Sequence, residues 1–233
     1  MYKEIKKCRL QKSPDLISVL NLGNQYMTGI FPKSLDQHVH KCPLELVWCK
    51  KSNLLQLKHT YDLGQMYGDN YGYRSSLNSG MVKHLQTKVA FLETIVALNK
   101  DDLVIDIGSN DATTLKAYSN KNIIKVGIDP TGGKFKKYYS DAINLIIDFF
   151  PTEELKTRFP KKKAKIITSI AMLYDLEDPM SFVKGITEIL DDEGIWHFEQ
   201  SYLPLMLKEN AYDTICHEHL EYYTLSNIKY MVE

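Results

Sequence analysis

His217, Glu218 and His219 stand side by side near the end of the chain, an imidazole that titrates close to neutrality next to a carboxylate able to orient it. Such a pairing suits a general base. Cys216 precedes them and Tyr222 and Tyr223 follow, so residues 212–223 are both titratable and aromatic. Two histidines one residue apart lack the four-residue spacing that lets a helix present both to one metal, so proton transfer is the better reading. In isolation the segment also reads as a solvated loop. Its weight comes from where it falls, after the fifth of a series of strands.

A second group lies at Asp106-Ile107-Gly108-Ser109-Asn110-Asp111. The apolar run 103–105 leads into an acid, a glycine and small polar residues, and residues 113–118 can open a helix. That is a buried strand, a tight turn and a helix start. Such a unit binds its ligand beyond the carboxyl end of the strand. Gly108 stands without the further glycines of G-x-G-x-x-G, which argues against a dinucleotide and its pyrophosphate. Asp106 is placed to hold an amine, and N–H groups near Gly108, Ser109 and Asn110 can take a carboxylate. S-adenosylmethionine carries both groups and no diphosphate. Asp129 follows Asp106 by 23 residues at the end of the next strand, the offset at which an acid receives ribose hydroxyls. Asp148 ends a third strand, within reach of an adenine amino group or simply solvated.

The surrounding pattern supplies the elements. Residues 78–98 carry Met81, Val82, Leu85, Val89, Leu92, Ile95 and Val96 at three- and four-residue spacing, predicting a helix with one buried face. Strands are predicted at 103–107, 123–128, 143–147, 165–170 and 195–198, with helices at 111–119, 153–158 and 179–190. This alternation builds a mainly parallel sheet covered on both faces. The predicted fold class is α/β, a Rossmann-like class I methyltransferase sheet over 76–233, incomplete at its C-terminus and preceded by a small N-terminal module over 1–75. In that module Cys8 and Cys49 each begin a C-x-x-C spacing whose fourth positions are Gln11 and Ser52. Neither is a good zinc ligand. His38, His40 and Cys42 lie between them. The reading is a degenerate zinc module in which Cys8 and Cys49 are remnant ligand positions, held by packing without metal. The connector 67–76 offers Tyr71 and Tyr73 either as anchors of a linker or as hydroxyls and stacking faces for a polar ligand.

Among the 233 residues, 29 Lys+Arg balance 29 Asp+Glu, which disfavours a general nucleic-acid binder. Lys161-Lys162-Lys163 reads as a solvated loop. No run of about 18 apolar residues is available to span a bilayer, and the first twenty residues, charged and broken by Pro14, do not resemble a signal peptide. Four cysteines without a disulfide spacing fit a reducing, cytoplasmic setting.

Taken together, these motifs resemble the nucleotide-sugar C-methyltransferases that act on dTDP-linked 4-keto-6-deoxy sugars. The matching pieces are Cys8 and Cys49 with Pro43-Leu44 and residues 54–57, then Tyr71-Gly72-Tyr73-Arg74-Ser75, residues 106–111, Gly127-Ile128-Asp129-Pro130 and residues 213–223. The resemblance implies a zinc module, a central S-adenosylmethionine domain, a C-terminal domain that helps hold the nucleotide sugar, and a base at His219 with Glu218 nearby. It implies sugar contacts at Tyr71, Tyr73 and Cys216, the last where some members have tyrosine. The base would remove the proton beside the ketone, with Tyr73, Tyr222 or His217 donating to the enolate oxygen. Gln11, Ser52, Cys216 and Ala112 (a glycine in the family) depart from the pattern, and the family's C-terminal domain has no counterpart. A fragment or a chain paired with a second polypeptide, or with itself, over the open sheet edge is therefore expected. Two alternatives are cofactor binding without independent catalysis and O- or N-methylation of a sugar.

Overall fold

The computed structural model describes residues 2–67 and 71–233. In chain order the strands are β1 (Tyr2–Glu4), β2 (Leu16–Tyr26), β3 (Lys41–Cys49), β4 (Leu54–Leu57), β5 (His59–Tyr61), β6 (Leu103–Ile107), β7 (Ile124–Ile128), β8 (Ile143–Ile146), β9 (Ala164–Ile170), β10 (Leu190–Glu199) and β11 (Glu221–Tyr222). The helices are α1 (Leu63–Met66), α2 (Ser79–Ile95), α3 (Thr113–Ala117), α4 (Gly132–Phe135), α5 (Glu153–Arg158), α6 (Pro179–Ile189), α7 (Leu203–Glu209) and α8 (Leu225–Val232). Two compact units form, one from Met1–Gly72, Ala171–Val183 and Gln200–Glu233, the other from Tyr73–Ile170 and Lys184–Glu199. The first segment of the first unit ends at Gly72. Beyond it the units are not contiguous in sequence, because the C-terminal residues cluster with the N-terminal module.

The second unit is the sheet the alternating pattern predicts. Five strands pair in parallel in the order β10-β9-β6-β7-β8. All five residues of β6 are buried, as a strand covered on both faces requires. Its core packs Val89 and Leu92 of α2 against Val104, Leu115 and Ile166. Asn78 caps α2, its side chain accepting the Gly80 and Met81 amides at 2.8 and 3.3 Å.

The first unit holds a four-stranded antiparallel sheet, β11-β4-β3-β2, and the small β1–β5 pair. Its core joins Met27, Leu44 and Leu57 to Leu203, Leu220 and Tyr222 from the C-terminal segment. β2, eleven residues long, escapes the sequence pattern. Ten of its residues are exposed and its register shifts between Ser18 and Leu20 and between Asn21 and Asn24, which erases any period of two. No helix among the described residues is long and apolar enough to cross a membrane.

α3 is shorter than the 111–119 predicted. Ala112, at its N-cap, is left-handed (φ 62°, ψ 22°) and fully buried, and left-handed backbone costs a residue bearing Cβ roughly 1–2 kcal/mol. The family's glycine at this position now has a reason: the loop needs positive φ there. Ala112→Gly should leave unfolding free energy within about 1 kcal/mol of the parent, strain relief offsetting a more flexible unfolded chain. Ala112→Val, adding a β-branched side chain in a closed space, should lose roughly 2 kcal/mol or more. Urea denaturation of both variants checks the pair.

Candidate active site

Beyond β6 the backbone turns left-handed at alternate residues, Gly108 (φ 73°), Asn110 (φ 47°) and Ala112. Glycine adopts this freely and asparagine tolerates it. The Gly108 amide donates to the Ile128 carbonyl at 2.8 Å and the Asn110 amide to Asp129 Oδ2 at 2.7 Å. Asp129 Oδ1 accepts the Thr131 amide at 2.6 Å and the Thr131 hydroxyl at 2.5 Å. A carboxylate offers about four lone-pair directions, so the protein uses three and leaves about one for a ligand hydroxyl. Asp129 is first of all the fastener of the loop.

Asp106, the fourth residue of β6, is 2% exposed. Thr168 donates its hydroxyl to Oδ1 at 2.5 Å and Thr114 also hydrogen-bonds it. Burial pushes its pKa up to about 7, those two hydroxyls pull it down, and the Asp129 charge raises it further. No cation is among the groups that act on it. A buried carboxylate without a cationic partner is costly, and a ligand ammonium is what such a group accommodates. S-adenosylmethionine therefore fits the loop, with Asp106 as the residue that would hold its amine.

The amides that the sequence offers to a ligand carboxylate at Gly108, Ser109 and Asn110 are engaged within the protein, the Ser109 amide donating to the Ile128 carbonyl at 3.4 Å. The Asn110 side chain accepts the Ser75 amide at 3.0 Å and donates to the Tyr73 carbonyl at 3.2 Å. Asp111 accepts the Ser76 amide at 3.1 Å. The connector is thus stitched to the cofactor loop through Ser75 and Ser76. Ser109 and Tyr139 share a 2.7 Å hydrogen bond, and Tyr139 donates its own proton to the Asn110 carbonyl at 2.9 Å. Gly127 on β7 makes room for this: a Cβ there would come within 2.6 Å of Ser109 Oγ and 3.0 Å of the Tyr139 ring. Asp148 is solvent-exposed and accepts the hydroxyl of Thr152, the N-cap of α5. Of the connector tyrosines, Tyr73 is 49% exposed, while Tyr71 bridges to Ile30 and packs against Tyr67 in the first unit. Residues 68–70 of the connector lie outside the described residues.

In the first unit, the three polar residues divide their labour. His217 is fully buried; the Thr28 amide donates to its Nδ1 at 3.3 Å, and Nε2 meets the Cys42 carbonyl at 3.3 Å. A carbonyl only accepts, so the proton sits on Nε2 and both ring nitrogens are engaged. Burial lowers its pKa against the opposing pull of the Cys42 carbonyl and Glu218. Glu218 accepts the Thr28 hydroxyl at 2.5 Å and lies against Gly29 (φ 75°), where any Cβ would collide with its carboxylate. His219 differs: Nδ1 meets the Thr214 carbonyl at 2.8 Å, so Nδ1 carries the proton and Nε2 keeps its lone pair. Burial lowers its pKa, offset by Thr214 and Glu218, and the Tyr174 ring stands edge-on at 4.3 Å. Tyr222 donates to the same Thr214 carbonyl at 3.3 Å. The Cys216 thiol is pushed up to about 12 by burial and the Glu218 charge, so it stays protonated.

The remnant metal positions are also drawn together. Cys8 and Cys49 are fully buried, Cys8 Sγ lies 3.2 Å from Ser52 Oγ, and both turns retain a left-handed residue at Lys12 and Asn53. Burial raises the Cys49 thiol, but hydrogen bonds with Ser52 and Cys8 bring it below its ordinary value. Two thiols, a hydroxyl and the amide side chain of Gln11 are not the four nitrogen and sulfur donors of a structural zinc site. Zinc does not fit this donor set.

A parallel sheet with a left-handed loop and a buried acid on its central strand defines a class I methyltransferase. Family models agree: one described as "Methyltransferase domain" matches residues 78–233 and one described as "Putative zinc binding domain" matches residues 8–67. The chain belongs to the methyltransferase-domain family. The C-methyltransferase NovU of Streptomyces niveus is 25% identical over 231 residues, which are 97% of this chain and 54% of that protein. The chain thus spans about half the length of this curated relative. A solved "Complex between the Haloferax volcanii Trm112 methyltransferase activator and the putative methyltransferase" is 15% identical, covers 66% of this chain and 71% of that one, and superposes with a TM-score of 0.51. The plantazolicin methyltransferase BamL, solved with SAH, is 17% identical over 64% of this chain and 59% of that one, with a TM-score of 0.48.

Two variants test the cofactor loop. Gly127→Ala should displace Ser109 and weaken S-adenosylmethionine binding by roughly tenfold, given overpacking costs of about 1–3 kcal/mol; calorimetric titration reads this. In the unfolded chain Asp106 titrates near 3.9, so its burial penalty is absent below about pH 4, grows as pH rises, and is complete above its folded value of about 7. Asp106→Asn should therefore stabilise the protein at pH 8 by roughly 2–4 kcal/mol, taking about 1.36 kcal/mol per pKa unit, and have no such effect near pH 4. The same change should abolish measurable cofactor binding. Thermal unfolding at both pH values, alongside the titration, checks it.

Proposed function

We propose that this chain transfers a methyl group to the carbon beside the ketone of a nucleotide-linked keto-deoxysugar, with His219 as the general base. One observation carries the reading: Thr214 fixes the His219 tautomer, so an unprotonated Nε2 is presented in a half-buried ring. A ketone acidifies the neighbouring C–H, and Nε2 is the atom that takes this proton. Glu218 then steadies the imidazolium, as its charge already favours the protonated ring. When bound, S-adenosylmethionine supplies an electrophilic sulfonium methyl. In this reading Asp106 holds the amine, Asp129 offers its remaining lone pair to a ribose hydroxyl, and Asp148, two residues past β8, is assigned to the adenine amino group. Of the three donors weighed for the enolate oxygen, His217 and Tyr222 have their protons committed to Cys42 and Thr214. Tyr73 is left for that role, with Tyr71 and the neutral Cys216 thiol as sugar contacts. Similarity to NovU supports carbon as the site of methylation. The outer edge of β10, at the end of the strand order among the described residues, is assigned to a second chain; the Haloferax protein is solved in complex with an activator.

His219→Asn should lower kcat about 10²–10⁴-fold, the range of a lost general base, while cofactor affinity stays within about twofold. The parent enzyme should also exchange the substrate C–H for deuterium without cofactor, and the variant should not. Equal loss of affinity and turnover would contradict the base role. Because burial lowers the His219 pKa, kcat/KM should fall on the acid side with a midpoint below about 6.5, the ordinary imidazole value.

A further inference from the structure

Next to the turn that opens at Cys8 and two residues beyond His219, a buried arginine–glutamate contact remains that the chemistry above does not use. Arg9 is 3% exposed and Glu221 0%. Arg9 Nε lies 3.4 Å from Glu221 Oε1. The remaining donors of the guanidinium are spent on β4, β5 and the turn between them: Nη1 donates to the Leu57 carbonyl at 2.6 Å and to Gln56 Oε1 at 3.4 Å, and Nη2 to the His59 carbonyl at 3.1 Å and the Thr60 hydroxyl at 2.9 Å. The Arg9 amide also donates to Gln56 Oε1 at 3.0 Å. Gln56 is the cross-strand partner of Glu221.

β11 consists of Glu221 and Tyr222 alone. A two-residue strand holds its register only weakly, and a slip of one residue would turn every side chain to the other face. It begins two residues after His219. Leu220 is tied on both sides, its amide donating to the Tyr174 carbonyl at 2.7 Å and its carbonyl accepting the Leu57 amide at 2.8 Å. Arg9 grips the other group of that same Leu57, its carbonyl. The guanidinium therefore fastens β4 at the residue that meets Leu220, and its remaining face meets the carboxylate of the residue after. Stability does not call for such a pair, since well-packed apolar residues commonly replace a buried ion pair without loss.

We infer that Arg9 and Glu221 are positioning residues for His219: their buried pair fixes the register of β11 on β4 and so the place of the imidazole that precedes it. The inference rests on the reading of His219 as base. It also gives the degenerate knuckle a task, because Arg9 is held by the turn that begins at Cys8.

The test uses the whole chain with the nucleotide-linked keto-sugar and compares Glu221→Gln, which keeps the shape and removes the charge, with the double variant Arg9→Met/Glu221→Met, which removes the pair without stranding either charge. Arg9→Lys is added to ask for the fork rather than the charge. Circular dichroism establishes folding. Expected are cofactor affinity within about twofold, KM within about threefold, and kcat lower by roughly tenfold to a hundredfold, the scale of a small misplacement of a reacting group. The His219 Nδ1 proton resonance and the imidazole titration midpoint should move in NMR spectra of all three variants. Parental kcat with an unmoved His219 signal in the folded double variant would overturn the inference, as would a fall in kcat with that signal unchanged. If the signal moves while His219→Asn remains fully active, the base reading fails and the positioning role stands.

Discussion

A carboxylate at the tip of one strand holding the amide of the loop beyond the next is the contact on which the cofactor half of this protein depends. Asp129 Oδ2 accepts the Asn110 amide, and without it nothing obliges the chain to alternate into left-handed backbone at Gly108, Asn110 and Ala112. That alternation makes the loop narrow enough to be capped by Ser109 and Tyr139 on one side and by the connector at Ser75 and Ser76 on the other. Asp106 sits beneath it, deprived of water and of any cation. Burying that carboxylate costs stability, the kind of cost commonly found at binding sites.

The first unit follows a parallel logic with neutral groups. Thr28 serves both His217 and Glu218, and Thr214 serves both His219 and Tyr222, leaving the lone pair of His219 Nε2 unspent. The imidazole that is most buried, His217, has both nitrogens engaged and works as a brace. The less buried one, His219, keeps a lone pair. Zinc-type turns persist in this unit with thiols and a hydroxyl hydrogen-bonded to one another. Arginine contacts and strand pairing do the holding that four metal ligands would otherwise do.

Much of this was legible in the residues. β6, β9 and α2 announce themselves because their apolar residues run continuously or recur at helical spacing, and Asp106, Gly108 and Asp129 follow from strand ends. What escaped has physical causes. β2 is exposed on both faces and bulged, so it carries no period. β11 is two residues long and exists through its partners. Asp129 looked like a ligand group and is largely an internal acceptor, since sequence offsets say which carboxylate stands at a strand tip but not how many backbone amides it already serves. Likewise His217 and His219 are the same residue type one position apart, and only the carbonyls facing their rings separate the imidazole with both nitrogens engaged from the one whose Nε2 keeps its lone pair. The clustering of residues 200–233 with the N-terminal module could not be read from any local pattern, because Leu203, Leu220 and Tyr222 complete a core begun by Met27 and Leu44.

The most direct measurement is the position of the transferred methyl. Incubation with carbon-13 methyl-labelled S-adenosylmethionine and a dTDP-linked 4-keto-6-deoxy sugar in deuterium oxide, followed by NMR of the product, reports it. A labelled methyl bonded to the carbon adjacent to the ketone is the result predicted here. A label on oxygen or nitrogen, or no transfer while cofactor binding is demonstrable, would contradict it.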